Sequence, residues 1–401
     1  MMTMKTLDGV DVKGKRVLVR VDFNVPLAHG RVMDSTRIVE SLPTIRELRQ
    51  NGAKIILLSH AGRPNGKRDV SLSLRPVMDE LSFLLREGIY FADDCIGETP
   101  SSLVNSLKPG EIALLENLRF YNEEETNDPL FAEKLASLGD IYVNDVFSVS
   151  HRAHASVVGI TKYLPSYAGR LLEKELHMLE STLTRPSHPF MAIVGGAKVS
   201  TKISLLKSLA HRVDTLVIGG AMANTFLYAL GHNVGRSLFE ETMVKQAIHI
   251  LQELIRRDCR MILPKDCVVA KAPEPGAKSA LVSVSEVPED QMILDVGVAT
   301  LEDIIEAIDQ SKTVVWNGAL GVSEYPPFDY GTKLVARHLA KKTKAGSITS
   351  VAGGGDTVGA LNQAGCLKDF TYVSMAGGAF LEWLQGYPLP GVEALRESGE
   401  G

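Results

Sequence analysis

Cysteine is scarce in this 401-residue chain: Cys95, Cys259, Cys267 and Cys366 form no C-x-x-C pair and lie far from any ligand-like histidine spacing. They read as buried or incidental reduced thiols and leave a metal centre without a ligand set. A basic excess is also missing. The 43 Lys and Arg are outnumbered by 48 Asp and Glu, a net charge of -5, which argues against a broad nucleic-acid or membrane surface. No apolar run reaches membrane-spanning length, and Lys5, Asp8, Asp11 and Lys13 occupy the segment where an apolar signal core would sit. The expected setting is therefore cytoplasmic. Neither G-x-x-x-x-G-K-[ST] nor a G-x-G-x-x-G after the first strand of either half is present, which removes a Walker site and weakens a dinucleotide-dependent dehydrogenase.

What is present is a regular alternation of β-branched runs with amphipathic helical patterns. With 45% hydrophobic and 23% charged residues the chain is compact rather than disordered, and its length exceeds what one core supports. Arg16 to Phe23 reads as a strand, Ile38, Leu42, Ile45 and Leu48 as one helix face, Lys54 to Ser59 as a strand, and Val77, Leu81, Leu84 and Leu85 as another helix face. Strands follow at Ile112 to Leu115 and Ile141 to Asn144. A helix-favouring stretch over 168–183 precedes a second series: strands at Phe190 to Val194 and Leu216 to Ile218, helices at Ser200 to Leu209 and Glu240 to Arg257, then strands near Met261, Thr313, Ile348 and Tyr372. The pattern predicts an α/β fold of two doubly wound, Rossmann-like parallel-sheet domains joined by a connecting helix and hinge.

In the first half, Arg37, His60, Arg63, Arg119 and Arg152 each fall just after a strand-like run or at the following helix start. All carboxyl ends of a parallel sheet share one edge, so these cations converge on one small, highly charged anion. Asp22 and Asn24 follow the first strand and suit either a turn or a ligand crevice. In SHAGRPNGK, a small Ala-Gly pair between His60 and Arg63 permits close backbone approach, and Arg63 can fork onto a carboxylate or phosphate. His154 reads as a structural histidine.

The second half carries glycine-rich strand-to-helix junctions. IVGGAKVSTK places Lys198 and Lys202 about one helical turn apart after two glycines, either a phosphate cradle or a tight turn with a solvated helix face. In SVAGGGDTVGAL, Gly353, Gly354 and Gly355 precede Asp356 and Thr357, where the acid either caps the helix or holds magnesium beside phosphates. Trp316, Asn317 and Glu324 follow another strand, with Glu324 a possible ribose acceptor, and Gly377 and Gly378 open a further helix.

The ordered set RVDFNVP, SHAGRPNGK, LLENLRF, VND with SHRAHAS, GGAKVS, WNG, GGGDT and LPGVEAL resembles the phosphoglycerate kinase family over essentially the whole length. The resemblance implies reversible phosphoryl transfer between 1,3-bisphosphoglycerate and ADP, giving 3-phosphoglycerate and MgATP, by a monomeric enzyme. It implies a phosphoglycerate-binding domain over 1–167 (Asp22, Asn24, Arg37, His60, Arg63, Arg119, Arg152) and a connecting helix over 168–183. A nucleotide-binding domain over 184–386 would use Lys202, Asn317, Glu324 and the Gly353, Gly354, Gly355, Asp356, Thr357 loop, with Asp356 on Mg²⁺, and residues 387–401 would pack back on the first domain. Arg37, Lys198, Gly354 and Gly377 would stabilise the migrating phosphoryl group. The chain departs from the family's usual pattern at Thr201, where Asp is usual, at Ser323, and at Met375 and Ala376. Those departures leave room for a second reading, a catalytically weak paralogue that binds nucleotide or a partner protein.

Overall fold

Val17, Leu18 and Val19 are fully buried in β1 (Arg16–Arg20), as expected of a central strand in a sheet covered on both faces. The computed structural model describes residues 4–398. After β1 come a small hairpin, β2 (Leu27–Ala28) with β3 (Arg31–Val32), then α1 (Thr36–Gln50), β4 (Lys54–Leu58), α2 (Arg75–Leu85), β5 (Tyr90–Ala92), α3 (Glu98–Ser106), β6 (Ile112–Leu115), α4 (Asn122–Glu125), α5 (Pro129–Ala136), β7 (Ile141–Asn144), β8 (Ser166–Ala168) and α6 (Arg170–Leu179). The six longer-range strands pair in parallel in the order β5-β6-β4-β1-β7-β8. Helix α1 lays Ile38, Leu42, Ile45 and Leu48 onto this sheet, the stripe that its spacing predicts.

Helix α6 runs on into a π-type turn at Glu180–Thr184. The second series follows: β9 (Phe190–Val194), α7 (Ile203–Ala210), β10 (Thr215–Ile218), α8 (Ala221–Ala229), α9 (Val244–Arg256), β11 (Arg260–Ile262), β12 (Asp266–Ala270), β13 (Ala280–Ser283), β14 (Met292–Val296), α10 (Val298–Gln310), β15 (Thr313–Asn317), α11 (Tyr330–Lys344), β16 (Thr349–Gly353), α12 (Gly355–Gln363), β17 (Tyr372–Ser374), α13 (Gly378–Leu384) and α14 (Pro390–Glu397). A second six-stranded parallel sheet has the order β11-β10-β9-β15-β16-β17. Trp316 on β15 is fully buried in its core with Ile193, Ile304 and Leu339. Truncating such a residue costs about 3–5 kcal/mol.

The chain divides into two compact units, Met1–His177 with Pro388–Gly401, and Met178–Tyr387. In the first, Gly391 of α14 donates its N–H to Ser150 O at 2.8 Å. A small antiparallel sheet, β13-β12-β14, was not legible in the sequence. A register shift between Val268 and Val269 breaks the alternation that would mark its strands.

Candidate active site

In the first unit, β6, β4, β1 and β7 are consecutive in the sheet, and the residues beyond their carboxyl ends form a bonded cluster. Asp22, after β1, accepts hydrogen bonds from Arg37 Nη1 and Ser148 Oγ on Oδ2 and from Asn24 N on Oδ1. The ion pair holds Arg37, which stands in the first turn of α1 and is one-third exposed. Asn24 Oδ1 accepts the Gly62 N–H at 2.9 Å, and Gly62 O accepts Arg119 Nη1 at 2.9 Å, so one loop residue joins the ends of three strands. Gly62 has φ +59°, and a Cβ there would meet Leu72 at 2.7 Å, which makes glycine the fitting residue.

The loop after β4 is held from beneath. Asn117 Nδ2 donates to Ala61 O and Leu72 O, while the Glu116 carboxylate accepts from Ser73 Oγ, Leu74 N and Asn117 N. Arg63 is exposed on this loop and Arg152 half-buried after β7, its Nε 3.3 Å from His151 Nε2. Burial, then the neighbouring Arg20 and Arg119 guanidinium groups, hold the His60 imidazole well below its ordinary pKa. His154 is pushed down to about 3 by burial and the same guanidinium groups, so both histidines are neutral.

In the second unit, β10, β9, β15, β16 and β17 are consecutive, and their carboxyl ends carry the glycine junctions. Beside them lies a cavity of about 380 Å³ whose lining includes Gly196, Gly220, Ala221, Leu238, Leu294, Glu324 and Asp356. Gly220 has φ +67°, and a Cβ would lie 2.6 Å from Gly196 N. Asn317 links two strand ends: its Nδ2 donates to Gly353 O at 2.7 Å, and the adjacent Gly318 N donates to Thr357 Oγ1 at 2.6 Å. Gly354, at φ +96°, is the N-cap of α12, which therefore has no capping side chain, and Asp356 is exposed in the first turn. Gly377 at φ +51° is the corresponding N-cap of α13.

The lysines are not paired on one helix face. Helix α7 begins at Ile203 rather than Ser200, because Val199 to Lys202 is occupied by a tight turn: Lys202 N donates to Val199 O and Thr201 Oγ1 to Lys198 O. Lys198 is exposed ahead of the helix. Lys202 Nζ instead turns inward onto Gly195 O, Asn317 O and Asn317 Oδ1 at 2.6, 3.2 and 2.6 Å. Burial lowers its pKa to about 8, against the attraction of Asp356.

Several contributors escaped the sequence reading. The cavity wall from β14 and Leu238 is apolar apart from Asp295 and ordinary in composition, with no pattern to mark it. Arg20, Glu124 and Ser156 form a buried network beneath His60, and there a signal did exist: an arginine in the apolar run RVLVRVDF.

The phosphoglycerate kinase family model matches residues 7–387. A phosphoglycerate kinase of Bradyrhizobium diazoefficiens is 55% identical over 392 residues, covering 98% of each chain, and one of Methylorubrum extorquens is 53% identical over 400 residues, covering all of both. The solved phosphoglycerate kinase of Coxiella burnetii superposes with a TM-score of 0.91 at 37% identity, over 98% of this chain and 99% of the other. That of Pyrococcus horikoshii gives 0.83 at 30% identity over 99% and 100%. A cation cluster at one sheet edge, glycine junctions at another and full-length similarity on this scale converge: the chain belongs to the phosphoglycerate kinase family and is an enzyme of that kind.

Proposed function

We propose that the phosphoglycerate kinase activity is divided between the two units, with phosphoglycerate held by the first and MgATP or MgADP by the second. The carrying observation is that each unit gathers its chemistry at the carboxyl ends of consecutive parallel strands, cations in one and glycine junctions beside an apolar cavity in the other. Arg63, Arg119 and Arg152 supply forked donors to phosphate and carboxylate oxygens, while Asp22 and Asn24 hold Arg37 and the Gly62 loop in place.

The cavity takes the nucleoside, with Glu324 accepting from the ribose; the α12 N-terminus faces the phosphates, and Lys202, held inward on Gly195 and Asn317, turns from those oxygens to meet them. Magnesium arriving on the nucleotide would meet the Asp356 carboxylate, an oxygen ligand exposed in the first turn of α12. In the direction of ATP consumption, a carboxylate oxygen of 3-phosphoglycerate forms the new bond to the γ-phosphorus and ADP leaves with the electrons of the broken P–O bond. No protein nucleophile or base is required. Lys198, Arg37 and the backbone N–H groups around Gly354 and Gly377 neutralise the charge on the transferring group. Transfer requires the two ligands to be brought together with water excluded, a ligand-driven closure.

The reading includes a monomer working in the cytoplasm, as the family resemblance implies; among the described residues no helix is long and apolar enough to cross a membrane. A coupled assay with 3-phosphoglycerate and MgATP tests the reading. Turnover that needs both substrates supports it; nucleotide binding without turnover in either direction overturns it in favour of a weak paralogue.

A further inference from the structure

Arg20 is a fully buried guanidinium on the central strand β1. Such a charge is tolerated only with its donors satisfied and a counter-charge close by. Nε donates to Ser156 Oγ at 2.9 Å, Nη1 to Val21 O at 2.5 Å, and Nη2 lies 3.1 Å from His60 Nδ1. Ser156 passes the interaction on: its hydroxyl donates to Glu124 Oε1 at 2.6 Å and its N–H to Glu124 Oε2 at 2.9 Å. Glu124 is also fully buried, so one hydroxyl joins the buried guanidinium to a buried carboxyl group.

A guanidinium has donors and no acceptor. The contact with His60 Nδ1 is a hydrogen bond only if that nitrogen offers its lone pair. In a neutral ring the hydrogen must then sit on Nε2. We propose that Arg20 is a positioning residue of the reaction, fixing His60 as the neutral Nε2–H tautomer so that the imidazole meets the phosphoglycerate as a hydrogen-bond donor and never as a base. The proposal rests on placing His60 in the phosphoglycerate site.

The charged surroundings of His60 support it. Arg20, Arg119 and Arg37 and the neutral His154 face the ring, and all three guanidinium groups oppose an added proton. The chemistry is consistent as well, because a carboxylate nucleophile carries no proton to abstract at neutral pH, whereas substrate oxygens need donors. A free imidazole would change charge between about pH 5 and about pH 8 and make substrate binding follow it; a fixed tautomer holds one donor in one place.

The direct test needs no substitution. Long-range ¹H–¹⁵N correlation on the histidine-labelled full chain, with His60 assigned by its loss in H60Q, should show a protonated Nε2 and an unprotonated Nδ1 at every pH from about 5 to about 8. An Nδ1–H tautomer, or titration within that range, overturns the proposal. R20K keeps the charge but loses the fork, and should raise KM for 3-phosphoglycerate roughly tenfold and admit the Nδ1–H tautomer in the same spectrum, with KM for MgATP unchanged. If R20K does not fold, S156A removes one acceptor from Arg20 and should give the same tautomer mixture and raised KM in milder form. A folded R20K that keeps His60 wholly as the Nε2–H tautomer counts against Arg20. H60A separates the two readings: normal 3-phosphoglycerate affinity there would remove His60 from the substrate site, whatever its tautomer.

Discussion

Glu240 grips Ser200 twice, accepting its backbone N–H at 2.9 Å and its hydroxyl at 2.5 Å, and is itself tied to α8 by its own N–H on Thr225 Oγ1 at 3.0 Å. The turn that presents Lys198 is thereby fixed from outside its own segment. Position 201 carries Thr and supplies no carboxylate. E240A should lower kcat roughly tenfold to a hundredfold through misplacement of Lys198, with MgATP affinity little changed. Adding T201D should recover part of that loss. Steady-state kinetics of the single and double variants check it, and a wild-type kcat in E240A means the grip serves only stability.

Lys198 is exposed and stands ahead of α7. K198A should depress kcat by roughly 10²-fold or more, the scale of one lost electrostatic stabiliser, with a smaller effect on KM for MgATP. A raised KM at unchanged kcat would make it a ground-state binding residue.

Asp356 lies in the first turn of a helix whose N-cap is Gly354. D356N preserves volume and removes the charge, so thermal stability should shift by no more than about 0.5 kcal/mol. The KM for MgATP should rise and fall back partly with excess magnesium. A large loss of stability with normal metal dependence would assign Asp356 to helix capping.

Asp145 is buried after β7, accepting Thr44 Oγ1 at 2.8 Å and Leu171 N at 2.9 Å on Oδ1, while Oδ2 is buried without a hydrogen-bond partner. Burial raises its pKa to about 7, against the hydrogen bonds from Thr44 and the start of α6. Between the unfolded value near about 4 and that folded value the native state holds the extra proton, so this group's contribution falls as pH rises and its loss is complete above about pH 7. D145N removes the titration. Relative to wild type, its unfolding free energy should therefore increase across that window by on the order of a few kcal/mol and then level off. Urea unfolding of both proteins at several pH values measures the difference, and parallel pH profiles would exclude the assignment.

Much of the architecture was legible because its signals are periodic. The stripe of α1 and the buried runs of β1, β4, β6 and β7 follow directly from residue spacing, and the strand-end rule gathers Arg37, His60 and Arg119 from far apart in sequence. The inward fold of Lys202 was not legible, since charge and spacing cannot reveal that three oxygens await its ammonium. Glu240 was equally silent, reaching Ser200 from 40 residues away through a loop with no pattern of its own. Sequence periodicity reports faces of elements; the residues that orient a site are set by how loops meet.

The return of α14 to the first unit has a consequence for biosynthesis. Residues 178–387 form one unbroken stretch, so every strand of the second sheet is in hand once that stretch has left the ribosome. The first unit has most of its sheet far earlier but lacks the segment whose Gly391 packs against Ser150 and Val157, where a Cβ would sit only 2.6 Å from Val157 Cγ1. The first unit is thus begun first and completed last, and a nascent chain stalled short of Pro388 would hold every strand of the second sheet and an incomplete first unit.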